Sequence, residues 1–203
     1  MFKKLTAILL SATLLATLVG CGGSESTYEK GAWNGDVYRS DWIGLSFRLS
    51  DQSYSYDGDT QPSLWLYTGA LYDEKSEPKV NDLEEVASVE FGAKDYKTTS
   101  QIVIYTEELV DEDMSADEFM REYEDLLNMY KINQCTFTST NAGTRQICGT
   151  TYQKGTGTYD ISMMGSYTFD MYVTIKEDRI VYIFHQYKDV DKEKAADMMN
   201  CFF

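Results

Sequence analysis

The chain has 203 residues, of which 43% are hydrophobic and 25% are charged, a balance typical of a globular protein rather than a disordered or fibrous one. Its 18 basic and 33 acidic residues give a formal net charge of −15, which disfavours binding to nucleic acid or to anionic lipid headgroups through a basic surface. No Cys-x-x-Cys pair occurs, and one histidine is too few for the usual histidine-rich zinc sites.

The first twenty residues have the pattern of an export signal. "MFKK" is a short basic start, and the apolar run "LTAILLSATLLATLVG" follows it. The run stops at Gly-Cys-Gly-Gly, which is early for a permanent membrane-spanning helix. Its end, Leu18-Val19-Gly20-Cys21, resembles the lipobox of bacterial lipoproteins. An ordinary signal peptide with a bystander cysteine, or an uncleaved anchor, is the alternative.

The lipobox resemblance implies a lipid anchor at Cys21. In that family the cysteine thiol receives a diacylglycerol, and cleavage then removes the preceding residues, here 1–20. Two acyl chains on one residue give stable attachment, so the lipid bilayer is an expected partner. We therefore expect an extracytoplasmic protein that is held at the cell membrane. Residues 21–31 are then the lipidated cysteine and a flexible tether, and residues 32–203 form one domain.

The first part of this domain predicts strands. In "DVYRSDWIGLSFRLS", the apolar residues Ile43, Leu45, Phe47 and Leu49 alternate with small or polar ones. The stretch from 52 to 78 is ambiguous between a helix that starts near Pro62 and a strand. Two more strands are predicted at about 86–92 and 101–107.

The stretch "SADEFMREYEDLLNMY" predicts an amphipathic helix. Its apolar residues fall at steps of three and four, which places them on one face. Ser115 and Glu118 have the spacing of a capping box at its start. A second helix is expected in "DKEKAADMMNCFF", where Ala195, Met198, Met199 and Phe202 line one side.

The chain between the two predicted helices is expected to form pairs of strands. "QCTFTST" and "TRQICGTTYQ" flank an expected turn at 141–143, and Glu177-Asp178 is expected to join "YTFDMYVTIK" to "RIVYIFHQYK". Strands interrupted by only a few helices predict an antiparallel sheet packed by helices, the α+β class.

Two stretches resemble the PsbP-like group of small secreted domains. One is "YRSDWIGLSFRL" and the other is the closing "RIVYIFHQYKDVDKEKAADMMNCFF". The resemblance implies an antiparallel sheet sandwiched between helices over most of residues 32–203. Members of that group serve mostly as accessory or binding modules, and fold alone does not carry function.

Three cysteines remain besides Cys21. If Asn141-Ala142 is the two-residue loop, Cys135 lies directly opposite Cys148, at a spacing that suits a disulfide in an exported protein. We therefore predict a Cys135–Cys148 bridge. A shifted register, with Cys135, Cys148 and Cys201 all as buried thiols, is the alternative.

The register of the Glu177-Asp178 hairpin places His185 opposite Asp170. A His–Asp pair is the orienting half of a hydrolytic triad, but no Gly-x-Ser-x-Gly or similar nucleophile context accompanies it. We interpret the two residues as a cross-strand polar pair and expect no catalytic residues. A glycosidase-like pair of carboxylates that are distant in the chain stays open.

No metal site and no cofactor are expected. The acidic stretches 56–60 and 107–118 do not fit the Asp-x-Asp-x-Asp-Gly calcium loop, and the glycines of "KGTGTYD" lack the lysine and context of a phosphate loop. We interpret the glycines of "KGTGTYD" as part of a turn.

The sequence thus predicts a membrane-anchored, non-catalytic binding or accessory domain with a protein partner at the cell envelope. The alternative is a module that binds a small molecule or carbohydrate, with Trp33, Trp42 and Trp65 as stacking platforms. An enzyme would need Asp170 and His185 in a cleft beside a hydroxyl or thiol.

Overall fold

The computed structural model describes residues 28–56, 87–109, 113–130, 135–140, 142–161 and 165–203. The predicted leader, Cys21, Trp65 and the ambiguous segment that follows Pro62 lie outside these ranges.

The described residues form eleven strands and two helices. In chain order they are β1 (Ala32–Asn34), β2 (Val37–Ser40), β3 (Leu45–Arg48), β4 (Ser53–Tyr56), β5 (Ala87–Asp95), β6 (Gln101–Glu108), α1 (Ala116–Tyr130), β7 (Thr136–Thr138), β8 (Thr144–Ile147), β9 (Thr150–Ile161), β10 (Gly165–Lys176), β11 (Arg179–Tyr187) and α2 (Lys192–Met199).

An eight-stranded antiparallel sheet forms the centre of the molecule. Its order is β4-β5-β6-β11-β10-β9-β7, and β8 pairs with β9 as well. β1, β2 and β3 form a separate three-stranded sheet. The predicted antiparallel sheet with a few helices is therefore present, but the layer expected to be helical on one side contains three strands and the short helix α2.

One side of the large sheet, the α1 face, is covered by α1. The helix contributes Phe119, Met120, Tyr123 and Leu127, all buried, to a core that it shares with β6, β10 and β11. Its start is as predicted, because the Glu118 backbone N–H donates to Ser115 Oγ at 3.2 Å. α1 also carries the chain from β6, near the middle of the sheet, to β7 at its edge.

The opposite side, the α2 face, packs against β1–β3 and α2. Tyr38 and Phe47 come from the small sheet, and Met198 and Met199 come from α2. The chain end joins this layer, because Phe202 bridges Phe47. Of the residues predicted for the final helix, Phe202 thus lies beyond its last turn and extends the small sheet.

A buried carboxylate ties the first described residues to the sheet. Glu90, at a β-bulge in β5, accepts hydrogen bonds from the Tyr28 hydroxyl at 2.6 Å, from the Gly31 N–H at 3.1 Å and from the Tyr38 hydroxyl. The Arg179 guanidinium lies 4.3 Å from the centre of the Tyr28 ring. Residues 28–31, predicted as the end of the tether, therefore pack on the domain.

The β10–β11 hairpin has the predicted register. Lys176 pairs with Arg179 around the Glu177-Asp178 turn, and Asp170 pairs with His185. The apolar residues of both strands share the α1 face as expected, namely Phe169, Met171, Val173, Ile180, Tyr182 and Phe184.

The predicted β7–β8 hairpin and the Cys135–Cys148 disulfide are wrong. The two-residue turn is Cys148-Gly149, which joins β8 to β9, and both residues have positive φ, +49° and +82°. β7 and β8 follow one another along the same edge of β9, so they do not pair with each other. Cys135 belongs to the α1-face core and Cys148 packs at the α2-face core, and both thiols are free.

The glycines of "KGTGTYD" lie inside β9, not in a turn. A Cβ at Gly155 would come within 2.2 Å of the Phe137 ring, and one at Gly157 within 2.4 Å of both the Phe169 ring and the Thr136 carbonyl oxygen. These positions are glycine because aromatic rings cross the strand there, so the strand continues through them.

Candidate functional site

A cleft of about 390 Å³ opens on the α2 face, between α2 and the strands β8 to β11. Lys192, Ala196 and Met199 of α2 form one wall, and Arg145 of β8 lines the cleft from the strand side. A 3-10 turn, Asp189–Asp191, connects β11 to α2 and contributes Asp189.

The floor of the cleft follows from strand register. Thr156, Asp170 and His185 lie side by side on β9, β10 and β11. Because side chains alternate between faces along a strand, the positions two residues away, such as Tyr172 and Tyr187, point to the same side. The sequence-predicted pair Asp170 and His185 therefore lies at the centre of the floor, next to each other.

Asp170 is 8% exposed and is held by three neighbours. The Thr156 hydroxyl donates to its Oδ1 at 2.7 Å, Lys154 Nζ lies 3.1 Å from the same oxygen, and the Tyr172 hydroxyl donates to Oδ2 at 3.4 Å. A buried carboxylate with an ammonium partner and two hydroxyl donors is compensated, so it stays a hydrogen-bond acceptor in the cleft.

His185 is 2% exposed and neutral near pH 7. Burial lowers its pKa to about 4, Arg145 and Lys154 act in the same direction, and Asp170 and the backbone of Ala195 act against them. Its Nε2 lies 3.2 Å from Ser100 Oγ. Its Nδ1 is fully buried.

Two tyrosines keep their hydroxyl protons at all ordinary pH values. Burial, and next the charge of Asp170, raise the pKa of Tyr172 to about 12, whereas Arg145 acts to lower it. Burial together with Asp170 and Asp189 raises the pKa of Tyr187 to about 12. Both side chains therefore remain neutral hydrogen-bonding groups in the cleft.

Cations gather around the Tyr172 ring. The centre of the Arg145 guanidinium lies 5.7 Å from the ring centre, and Lys154 Nζ lies 5.8 Å from it. Lys192 stands on the facing wall. Lys154 is paired with Asp170, whereas neither Arg145 nor Lys192 forms an ion pair with any part of the chain that the structure describes.

The Asp170–His185 pair does not complete a hydrolytic triad. Ser100 is the hydroxyl beside His185, but it is fully buried, does not line the cleft and lies within hydrogen-bond distance of Met198 Sδ, at 3.0 Å. The carboxylate of Asp170 is engaged by Thr156, Lys154 and Tyr172 and not by the imidazole. A triad needs an accessible nucleophile and a carboxylate that orients the imidazole, and these residues provide neither.

Trp33 and Trp42, the two predicted tryptophan platforms that the structure describes, do not line this cleft. Trp33 packs against Tyr38 and Phe91, and Trp42 packs against Tyr28 and donates from Nε1 to Glu177 at 3.3 Å. In the described ranges, no cluster of three histidine, cysteine or carboxylate side chains is placed to hold a metal ion. The helices described for this chain include none that is long and apolar enough to cross a membrane.

Of the residues in the cleft, only Asp170 and His185 were expected from the sequence to lie together. Thr168, Asp170 and Tyr172 alternate with apolar residues along β10. Polar side chains at every second position of a central strand indicate a polar site on that face of the sheet. Extending the predicted register to β9 would have added Lys154 and Thr156. No local pattern marks Arg145 or Lys192, because their places depend on how β8 and α2 pack.

Among solved structures, the chain is similar to the solution structure of cyanobacterial PsbP (CyanoP) from Synechocystis sp. PCC 6803. The TM-score is 0.47 and the sequence identity 11%, with 90% of this chain and 98% of that chain covered. No protein-family model matches the chain, and no curated protein matches it. A likeness this distant carries no argument, so the fold class rests on the chain's own strand pairings.

Proposed function

We propose that the protein is a lipid-anchored, extracytoplasmic binding module whose ligand site is the cleft beside α2. The observation that carries this proposal is the convergence in one cleft of Asp170, His185, Tyr172 and two cations without ion pairs among the described residues. Buried polar groups are costly unless they are satisfied, and a concave site with a few convergent polar groups is the usual form of a small-molecule site.

The geometry favours a small molecule as the ligand over a protein partner. The lining is recessed between a helix and a sheet, and its volume of about 390 Å³ lies within the range of small-molecule pockets. A protein partner at the cell envelope remains the second candidate, and it would have to bind a different, flatter surface.

We propose a non-catalytic role, because the described residues that line the cleft offer acceptors and donors and include no activated nucleophile. The tyrosines Tyr172 and Tyr187 keep their hydroxyl protons and can orient a ligand through hydrogen bonds. The carboxylate of Asp170 is already engaged by Lys154, Thr156 and Tyr172.

In the proposed anchored state, the cleft faces away from the bilayer. Six residues separate Cys21 from Tyr28, and a tether of that length would span about 13 Å root-mean-square as a random coil. Tyr28 lies against Arg179 at the start of β11, whereas the cleft residue Tyr187 lies at its end, about 27 Å further along the strand. The ligand site is thus presented to the extracytoplasmic side.

The test of the ligand site is a variant that fills the cleft. Ala196 is exposed on α2 and lines the cleft, so Ala196→Trp should block it without disturbing the core. The full chain in detergent is screened by isothermal titration calorimetry against defined monosaccharides, sugar acids and amino acids. We expect at least one class to bind the wild type and not the variant.

The matched control is Lys194→Trp, which adds the same side chain on an exposed position of α2 outside the cleft. Both variants should unfold cooperatively at temperatures close to that of the wild type. Binding that survives in Ala196→Trp would place the ligand elsewhere and contradict the proposal.

A further inference from the structure

We infer that the cleft binds a small polyhydroxy carboxylate, a ligand of the chemical class of the sugar acids. The inference rests on the proposed function, because it assigns a ligand class to the same cleft. It is carried by the placement of Arg145, Lys192, Asp170 and Asp189 around a recessed polar floor.

The residues that line the cleft are more positively charged than the chain as a whole. The chain has nearly twice as many acidic as basic residues, yet the cleft is lined by three cations and two carboxylates. His185 adds no charge near pH 7, so the lining has a formal charge of +1. In a chain of net charge −15 this local excess of positive charge favours a monoanion.

Arg145 is the cation that we assign to the anionic end of the ligand. Lys154 is neutralised by Asp170 at 3.1 Å, whereas the Arg145 guanidinium lies 5.7 Å from the centre of the Tyr172 ring and forms no ion pair with any described residue. A guanidinium can bind a carboxylate through two parallel hydrogen bonds. Lys192 on the opposite wall adds a second positive charge.

The carboxylates of the cleft account for the hydroxyl groups of the ligand. Asp170 and Asp189 are acceptors in the same cleft, and each is already bound by a threonine hydroxyl at 2.7 Å. A ligand hydroxyl can donate to such a carboxylate in the same way.

Two related classes fit less well. The ammonium of an amino acid would have only Asp189 to pair with, because Asp170 already has the Lys154 ammonium as partner. A dianionic phosphate ester would exceed the single positive charge of the lining. A free inorganic anion would leave most of the 390 Å³ empty of ligand.

The experiment compares matched probes on the full chain in detergent by titration calorimetry. Glucuronate and glucose differ only by a carboxylate in place of a hydroxymethyl group, and glucose 6-phosphate and alanine represent the two disfavoured classes. We expect glucuronate to bind most tightly, with glucose weaker by about tenfold or more.

Variants of one residue then locate the carboxylate. Arg145→Gln should weaken glucuronate binding about 10- to 100-fold. Arg145→Lys keeps the charge but not the planar guanidinium, so its affinity for glucuronate should lie between those of the wild type and Arg145→Gln. Both changes should weaken glucose binding less than glucuronate binding, because glucose lacks the carboxylate that Arg145 is proposed to bind. Arg121→Gln, on the exposed side of α1, is the matched control and should leave glucuronate binding unchanged.

The outcomes separate the inference from the proposed function. Equal binding of glucose and glucuronate, tighter binding of alanine or the phosphate ester, or full glucuronate affinity in Arg145→Gln would each overturn the inference. If Ala196→Trp still abolishes binding in those cases, the cleft remains the ligand site. Glucuronate binding that is lost in Arg145→Gln but retained in Ala196→Trp would contradict the proposed site.

Discussion

His185 couples the stability of the fold to pH. Its pKa is lowered from 6.5 to about 4, mainly by burial, while Arg145, Lys154 and Asp170 face it from β8, β9 and β10, with α2 and Ser100 packed against it. Between pH 6.5 and 4 the unfolded chain binds a proton at this position and the folded chain does not. The free energy of unfolding therefore falls as the pH falls through this window.

For the wild type, this group alone is expected to lower the free energy of unfolding by on the order of 3 kcal/mol between pH 7 and pH 4. His185→Asn cannot titrate, so its stability should fall less over the same range. Urea unfolding of both proteins at several pH values measures the difference in slope. Parallel pH profiles would show that His185 titrates normally in the folded state.

Removal of Glu90 is expected to lower the free energy of unfolding more than removal of the exposed Glu108. It accepts three hydrogen bonds at a buried site, and two of the donors, Tyr28 and Gly31, belong to the first described residues. Glu90→Ala leaves the buried Tyr38 hydroxyl without its acceptor and should cost about 2–4 kcal/mol in urea unfolding.

Glu108→Ala is the matched control for this prediction. Glu108 is mostly exposed but pairs with the buried Arg179 at 3.2 Å, which keeps hydrogen bonds to Thr106, so the loss of Glu108 should cost about 1 kcal/mol. Hydrogen exchange should also show faster exchange of the Gly31 amide in Glu90→Ala. Equal stability of the two variants would mean that Glu90 does not hold the entry segment.

At the scale of single residues, the sequence allowed Asp170 and His185 to be placed together because one hairpin register determines both positions. The remaining cleft residues depend on contacts between elements. The Arg145 guanidinium lies 5.7 Å from the centre of the Tyr172 ring, and its strand β8 does not pair with β10, which carries Tyr172. No spacing in the sequence encodes that proximity.

At the scale of elements, the close packing of β9 at the edge of the sheet requires its two inner glycines, Gly155 and Gly157. Gly157→Ala would push a Cβ into the Phe169 ring and the Thr136 carbonyl oxygen, and backbone cannot yield as a flexible side chain does. We expect a loss of about 2–4 kcal/mol and a weakened β7–β9 pairing.

Gly149→Ala is the matched comparison, because no atom lies within 4 Å of its added Cβ and only its φ of +82° is strained. The expected cost is about 1 kcal/mol. Urea unfolding distinguishes the two glycines. A larger loss for Gly149→Ala than for Gly157→Ala would contradict the steric explanation of β9.

The hairpins show why some elements were predictable and others were not. Apolar alternation on both strands and a short polar loop located the β10–β11 turn. In the segment from 135 to 153 the turn was expected at 141–143, whereas the structure has a two-residue turn at Cys148-Gly149. The pairing of both β7 and β8 with the same edge of β9 is tertiary and has no local signal in the sequence. The predicted disulfide depended on the pairing of β7 with β8 and is wrong for the same reason.

At the scale of the whole molecule, covalent attachment is the expected means of membrane binding. In the proposed mature form, without residues 1–20, 16 basic residues would remain against 33 acidic ones, and such a charge would be repelled by anionic lipid. Cys21→Ala should therefore move the protein from the membrane fraction to the aqueous phase, because the variant would lose the proposed diacylglycerol. Cell fractionation measures this, and a variant that stays with the membrane would indicate another anchor.

The most direct test of the account is mass spectrometry of the N-terminal peptide from protein purified out of its native membrane. We predict that the first residue is Cys21 and that its sulfur carries a diacylglycerol. A peptide that begins at Met1, or a Cys21 thiol without lipid, would contradict the proposal that this domain works while anchored to a membrane.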